Sequence, residues 1–206
     1  MNSKINIAIV GLGQIGIYLY NELQTKKKII ELKTGKQIKI IAISAKNRNK
    51  KRRFKIDKKI FFTNPLEIFK KTKIDILFES IGLSDGISKK IVETALRKKI
   101  HVITPNKALI AKHGDYLATL AEKNNVNLEF EAAVAGGIPI LRSIKEGIAT
   151  NKISKVFGIL NGTCNYILSE MENSKQNFEN VLKKAQALGY AEPGNCLLYT
   201  SPSPRD

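Results

Sequence analysis

The sequence has few cysteines, few acidic residues and no long apolar run. Two cysteines among 206 residues are too few for a disulfide framework, and neither Cys164 nor Cys196 stands at a metal-ligand spacing. No apolar stretch approaches the roughly 20 residues needed to cross a bilayer, and no cleavable leader pattern follows Met1. These absences argue against a secreted or membrane protein, so we expect a cytoplasmic protein with no membrane partner.

Basic residues outnumber acidic ones, 35 to 18, which gives a formal net charge of +17. Such a charge can mark a nucleic-acid-binding protein. The basic residues are mostly lysines scattered over the chain. The one dense run, residues 46–53, lacks the interleaved aromatic side chains on which bases would stack. We therefore expect no nucleic-acid partner. A non-catalytic basic binding protein is kept as the alternative to an enzyme.

Short β-branched runs alternate with helical patterns over the first 130 residues or so. This alternation predicts a parallel sheet covered by helices on both faces, an α/β doubly wound fold. Beyond residue 132 the sequence is rich in glycine and small residues, and helical patterns follow. This change predicts the start of a second, α+β domain. Strands are predicted at 5–10, 38–43, 60–62, 74–78, 102–103, 128–131 and 156–160, and helices at 13–26, 65–70, 88–98, 106–113, 116–124, 140–146, 165–172 and 178–188.

The first strand runs directly into G-L-G-Q-I-G at residues 11–16. A G-x-G-x-x-G motif between a strand and a helix is the dinucleotide-binding fingerprint of the Rossmann fold. Gly11 permits the tight turn, Gly13 lets a pyrophosphate approach the backbone, and Gly16 lets the helix pack closely on the strand. The pyrophosphate would lie on the N–H groups of the helix N-terminus, including those of Gln14 and Ile15.

The end of the second strand carries no acidic residue for the ribose hydroxyls of NAD. Ser44, Lys46 and Arg48 stand there instead, and a hydroxyl with nearby cations suits the 2′-phosphate of NADP. The sequence favours NADP, with NAD possible and with surface cations as the rival interpretation. Ser80 follows the apolar strand 74–78 and is expected near the nicotinamide ribose, unless it belongs to an ordinary turn.

Four later stretches carry longer motifs: H-V-I-T-P-N-K-A-L-I-A-K-H-G at 101–114, F-E-A-A-V-A-G-G-I-P-I-L-R at 130–142, G-I-L-N-G-T-C-N-Y-I-L-S-E-M at 158–171 and A-Q-A-L-G-Y-A-E-P at 185–193. In sequence and in order, these four stretches resemble the homoserine dehydrogenases. The resemblance implies an oxidoreductase that interconverts L-homoserine and L-aspartate 4-semialdehyde with NAD(P), in threonine, methionine and isoleucine biosynthesis. It also implies a homodimer or homotetramer for the full-length enzyme.

The resemblance also assigns individual residues. Lys107 would be the catalytic lysine, between cofactor and substrate, and would also contact the cofactor. A monovalent cation such as sodium would be held by oxygen ligands. Substrate would contact polar residues of the second domain. The cation ligands would be Glu131 and the carbonyls of Val134, Gly136 and Ile138, and the substrate ligands Asn161, Thr163 and Glu192.

The resemblance fails after residue 195, where the family continues into an Asp-rich segment and a second lysine. We therefore expect a cofactor domain at 1–133, an incomplete catalytic domain at 134–195 and a non-native, disordered tail at 196–206, with no activity in this chain alone. A related alternative is another NADP-dependent reductase of the aspartate pathway. A semialdehyde dehydrogenase needs a nucleophilic cysteine, and no histidine partner for Cys164 is evident.

Overall fold

The computed structural model describes residues 4–71, 73–135, 138–158, 162–188 and 190–191. The chain forms two compact units, residues 1–130 and 131–206. Among the residues described, no helix has both the length and the apolar character that a membrane span requires.

The first unit is a six-stranded sheet in the order β3-β2-β1-β4-β5-β6, and every neighbouring pair is parallel. This is the doubly wound order that places a ligand crevice beside β1, at the carboxyl edge. The predicted α/β Rossmann fold is confirmed. The strands are β1 Lys4–Val10, β2 Gln37–Ser44, β3 Phe61–Phe62, β4 Ile76–Glu79, β5 His101–Ile103 and β6 Leu128–Glu129.

Helices cover both faces of the sheet. They are α1 Gln14–Thr25, α2 Lys27–Thr34, α3 Ile68–Lys71, α4 Ile87–Arg97 and α5 Lys107–Lys123, with 3₁₀ turns at Lys58–Ile60 and Pro65–Glu67. In β1, Ala8 and Val10 join the apolar cluster that includes α4 and α5, whereas Ile7 and Ile9 join the cluster that includes α1. Because strand side chains alternate between faces, one apolar strand supplies two cores.

Two details of the first unit differ from the sequence prediction. The helix α2 Lys27–Thr34 was not predicted; it follows α1 and ends at Gly35, which adopts the left-handed conformation, φ 66°. A break was expected near Gly114, yet α5 is one helix through this residue. A glycine weakens a helix by only about 1 kcal/mol, and Leu109, Leu117 and Leu120 hold α5 to the core.

The regular elements described in the second unit are all helical. It contains a 3₁₀ turn Glu131–Ala133, α6 Ile140–Arg142, a π-helical turn Ser143–Gly147, α7 Gly162–Ser174 and α8 Phe178–Ala187. Ile167, Val181 and Ala185 form the core between α7 and α8. The strand predicted at 156–160 is absent from its described part, residues 156–158, since a strand needs a paired neighbour and this unit shows none among the described residues. The predicted tail, 196–206, lies outside the described residues.

Candidate functional site

The glycine turn joins β1 to α1 and is tied to the neighbouring strands through backbone atoms. Gly11 has φ 93° and its N–H donates to the Ser44 carbonyl at 2.9 Å. A Cβ on Gly11 would lie 2.5 Å from the Ser80 carbonyl oxygen, and one on Gly16 would lie 1.9 Å from the Gly11 carbonyl oxygen. Neither site has room for a side chain, so both glycines are required by the packing of the turn.

Gly13 differs from the other two glycines of the motif. A Cβ at Gly13 would meet no atom within 4 Å, so the backbone there faces open space. Gly13 precedes α1, and no side chain caps that helix. The first N–H groups of a helix have no intrahelical acceptor, so those of Gln14 and Ile15 are suited to an anion. This cradle fits the pyrophosphate of a dinucleotide.

Ser80 has a role that sequence reasoning did not foresee. Its hydroxyl donates to the Gly11 carbonyl at 2.8 Å, and its N–H donates to the Val10 carbonyl at 2.8 Å. The side chain therefore fastens the glycine turn to the end of β4. Contact with a nicotinamide ribose stays a prediction.

The three residues expected at the 2′-phosphate lie in different surroundings. Ser44 is buried, and its hydroxyl makes no hydrogen bond among the described residues. Arg48 is exposed, donates to the Lys58 carbonyl at 2.6 Å and lies 5.9 Å from the centre of the Phe61 ring. Lys46 is exposed and follows Ser44 by two residues. Arg48 is thus engaged in holding the 46–60 segment, which leaves Lys46 as the stronger candidate for phosphate recognition.

A cavity of about 950 Å³ lies between α1 and the segment that follows β2. Arg48 lines it together with several other cations, and both Arg48 and Arg52 donate to backbone carbonyls nearby. Its lining consists of Tyr20, Asn21, Gln24, Arg48, Asn49, Lys50, Arg52, Phe54, Lys55, Ile56, Asp57, Lys58 and Lys59.

A buried carboxylate at the end of β4 links three segments. Glu79 is 0% exposed and accepts hydrogen bonds from the Thr104 hydroxyl at 2.6 Å, the Ile81 N–H at 2.8 Å and the Asn106 side-chain amide at 3.4 Å. Sequence reasoning missed this residue. The signal was a carboxylate that directly follows an apolar strand, next to polar residues that follow the neighbouring strand.

Lys107 is the first residue of α5 and is exposed at the carboxyl edge of the sheet. The preceding Asn106 caps the helix, because its side-chain oxygen accepts from the Leu109 N–H at 3.1 Å. Since β5 pairs with β4 and β4 pairs with β1, Lys107 begins its helix on the same edge as the glycine turn. The predicted catalytic lysine is therefore exposed at the edge of the sheet where a cofactor held by the glycine turn would lie.

The loop after β4 is fastened to α5 by an ion cluster. Asp85 accepts from Lys112 at 2.8 Å, from Ser84 at 2.7 Å and contacts the His113 ring at 2.9 Å. These hydrogen bonds, that from Lys112 above all, hold the pKa of the Asp85 carboxyl well below its usual range. The carboxyl group is about half exposed, so the cluster orders the loop more than it stabilises the fold.

Glu131 serves as a cap in the second unit. Its two carboxylate oxygens accept from the Leu141 N–H at 2.9 Å and the Arg142 N–H at 3.0 Å. Among the other predicted cation ligands, the Ile138 carbonyl accepts from the Ile140 N–H at 2.8 Å, and the Val134 N–H donates to the Glu131 carbonyl at 3.1 Å. Gly136 lies outside the described residues.

Of the predicted substrate ligands, only Thr163 is described. Its hydroxyl, in the first turn of α7, donates to the Tyr190 carbonyl. The Tyr190 ring packs against the Tyr166 ring, with centroids 4.9 Å apart. Asn161 and Glu192 lie outside the described residues, so the predicted substrate set stays a prediction.

Comparisons with known proteins match both units. The family described as homoserine dehydrogenase, NAD binding domain, matches residues 11–131, and the family described as homoserine dehydrogenase matches residues 139–195. The chain is 41% identical to a homoserine dehydrogenase of Neisseria gonorrhoeae and 37% identical to one of Bacillus subtilis, in each case over 91% of this chain and 43% of the relative.

Solved structures agree with the sequence relatives. A homoserine dehydrogenase from Thiobacillus denitrificans matches with a TM-score of 0.79 and 34% identity, over 94% of this chain and 45% of that one. The S. aureus enzyme matches with a TM-score of 0.71 and 35% identity, over 93% and 46%. The chain thus spans less than half the length of these relatives. By its glycine turn, its sheet order and these matches, the chain belongs to the homoserine dehydrogenase family.

Proposed function

We propose that this chain is the cofactor-binding part, and the start of the substrate domain, of an NAD(P)-dependent oxidoreductase that interconverts L-homoserine and L-aspartate 4-semialdehyde. The observation that carries the proposal is the placement of a dinucleotide cradle and Lys107 on one sheet edge. The reaction would belong to threonine, methionine and isoleucine biosynthesis. Membership of the family supports this function over both alternatives raised by the sequence, the cysteine-dependent dehydrogenase and the non-catalytic binder.

Lys107 would act on the oxygen of the substrate. A bound nicotinamide would supply or accept the hydride. As an ammonium group, Lys107 would donate a hydrogen bond to the semialdehyde oxygen and a proton to it during reduction, and as an amine it would accept that proton in the reverse direction. Exposure at the sheet edge lets its long side chain reach a ligand held there.

Two measurements test this function. The chain itself should bind NADPH saturably in a titration that is monitored by the fluorescence of the reduced nicotinamide. Joined to a complete homoserine dehydrogenase substrate domain, it should oxidise NADPH when L-aspartate 4-semialdehyde is added. Saturable binding without turnover in the joined protein would contradict the catalytic part, and salt-sensitive nucleic-acid binding without NADPH binding would favour a basic binding protein.

Lys46 is proposed to recognise the 2′-phosphate, which makes NADP the preferred cofactor. Lys46→Ala is expected to weaken NADPH binding about tenfold, since a hydrogen bond to a charged group contributes roughly 1.5–3 kcal/mol. NADH binding should change less than twofold because NADH has no 2′-phosphate. Lys51→Ala, an exposed lysine of the same basic run, is the control. Equal losses for both cofactors would count against this assignment.

A monovalent cation such as sodium is proposed at Glu131 and the carbonyls of Val134, Gly136 and Ile138. Support comes from the donor chemistry, since hard cations prefer oxygen ligands, and Glu131 places two carboxylate oxygens in a short turn. Replacing sodium by choline at equal ionic strength should lower the melting temperature, and Glu131→Gln should remove the difference. Equal melting curves of the parent chain in the two salts would refute the site.

We also propose that the complete enzyme works in the cytoplasm as a homodimer or homotetramer, with a small molecule as its substrate partner and no membrane or nucleic-acid partner. The support is the family resemblance. Apart from residues 46–53, the basic residues are scattered along the sequence, which fits a solvated surface.

A further inference from the structure

We propose that Glu79 is a positioning residue for Lys107, acting through Thr104 and Asn106. This inference rests on the proposed function, because it concerns the same reaction. Glu79 itself ends β4 and is fully buried, so it acts on the start of α5 rather than on a ligand.

The network holds both the backbone and the side chain of Asn106, the residue before Lys107. The Asn106 backbone N–H donates to the Thr104 hydroxyl oxygen at 3.1 Å, while the same hydroxyl donates to Glu79 at 2.6 Å. The Asn106 side-chain amide donates to the Leu83 carbonyl at 2.9 Å and to Glu79 at 3.4 Å. Its side-chain oxygen caps α5 at Leu109. Main chain and side chain of Asn106 are therefore both fixed.

The direction of the first helical turn depends on these bonds. Lys107 follows Asn106 directly, and the direction of a helical side chain follows from the backbone that bears it. A long side chain magnifies any rotation of that turn, and reacting atoms must be held close to the productive geometry. Loss of the network would thus move the Lys107 ammonium group more than it would disturb the sheet.

A buried carboxylate is an inefficient way to stabilise a sheet. Desolvation of a buried charge opposes most of what its hydrogen bonds contribute, and apolar residues often pack as well. Glu79 instead joins polar groups from the end of β4, the end of β5 and the N-cap of α5. Such a fully satisfied network specifies one arrangement of these segments, and that arrangement contains the Lys107 turn.

Thr104→Val tests the network in the chain joined to a complete substrate domain. Valine keeps the shape but removes the hydroxyl, so kcat should fall at least about tenfold, with the KM for NADPH within about twofold of the parent. Thr104→Ser restores the hydroxyl and should recover most of kcat. Thr119→Val is the matched control on α5, because Thr119 is exposed and its hydroxyl donates to the Asp115 carbonyl of its own helix. This control should leave kcat unchanged.

Asn106→Ser guards against a folding defect. Serine preserves the helix cap but cannot make the side-chain amide bonds to Glu79 and Leu83, so a fall in kcat with an unchanged unfolding midpoint supports the proposal. Parent-like kcat in both Thr104→Val and Asn106→Ser, or no recovery in Thr104→Ser, would overturn it. An inactive parent would overturn this inference together with the proposed function, whereas an active parent with active variants overturns the inference alone.

Discussion

Gly16→Ala is expected to destabilise the first unit by about 1–3 kcal/mol and to abolish measurable NADPH binding. The added Cβ would lie 1.9 Å from the Gly11 carbonyl oxygen and 2.8 Å from the Ser80 hydroxyl. That carbonyl already accepts from Ser80 at 2.8 Å, so α1 must move away from the turn. Overpacking of a tight interior site typically costs about 1–3 kcal/mol. Displacement of the α1 N-terminus would also move its N–H groups away from the pyrophosphate.

Gly114→Ala is the matched control for this substitution. Both glycines lie inside helices, but a Cβ at Gly114 would meet only the Ile110 side chain, at 3.4 Å. Alanine there should stabilise the unit by about 0.5–1 kcal/mol through helix propensity. Urea unfolding gives the free energies, and NADPH fluorescence gives the affinities. If Gly16→Ala unfolds and binds as Gly114→Ala does, the assignment of the cradle is wrong.

Lys107→Ala is expected to lower kcat by about 10²–10⁴-fold in the chain joined to a complete substrate domain, the usual contribution of a positioned proton donor. The KM for NADPH should change much less than kcat, because the pyrophosphate cradle is formed by backbone N–H groups at the start of α1 and not by the Lys107 side chain. Stability should change little, because the side chain is exposed and a cation at a helix N-terminus opposes the helix dipole.

Lys123→Ala supplies the comparison, as an exposed lysine in the last turn of the same helix. It should keep full activity. Steady-state rates at several pH values, for both directions of the reaction, separate the two variants. Activity of Lys107→Ala within threefold of the parent would contradict the proposed role.

The sheet and its glycine turn were predictable because their signals are local. Apolar β-branched runs mark the strands, and the spacing of Gly11, Gly13 and Gly16 marks the turn. The continuity of α5 was not predictable, since a glycine in a helical pattern has the same local appearance whether packing supports it or not. For α2, the charged residues on either side of Ile29 and Ile30, Lys28 and Glu31, obscured the helical pattern.

Some residues of the candidate site were likewise predictable from local sequence, and others only from the fold. The motif placed Gly13 and the α1 N-terminus correctly at open space, and Lys107 came from the resemblance. Glu79 was missed because its partners are 25 and 27 positions away in sequence. Its burial depends on strand order, which a linear reading gives only coarsely. Arg48 was chosen for its charge, and only the fold shows that Lys58 engages it.

The open space at Gly13 has a consequence for how freely this protein can change its surface. The cradle is formed by backbone atoms, at glycine positions that have no Cβ. Few side chains are therefore needed to form it. Substitutions elsewhere on the exposed surface leave its shape intact. A chain can therefore drift to a lysine-rich composition such as this one, with its net charge of +17, while the shape that receives the cofactor persists.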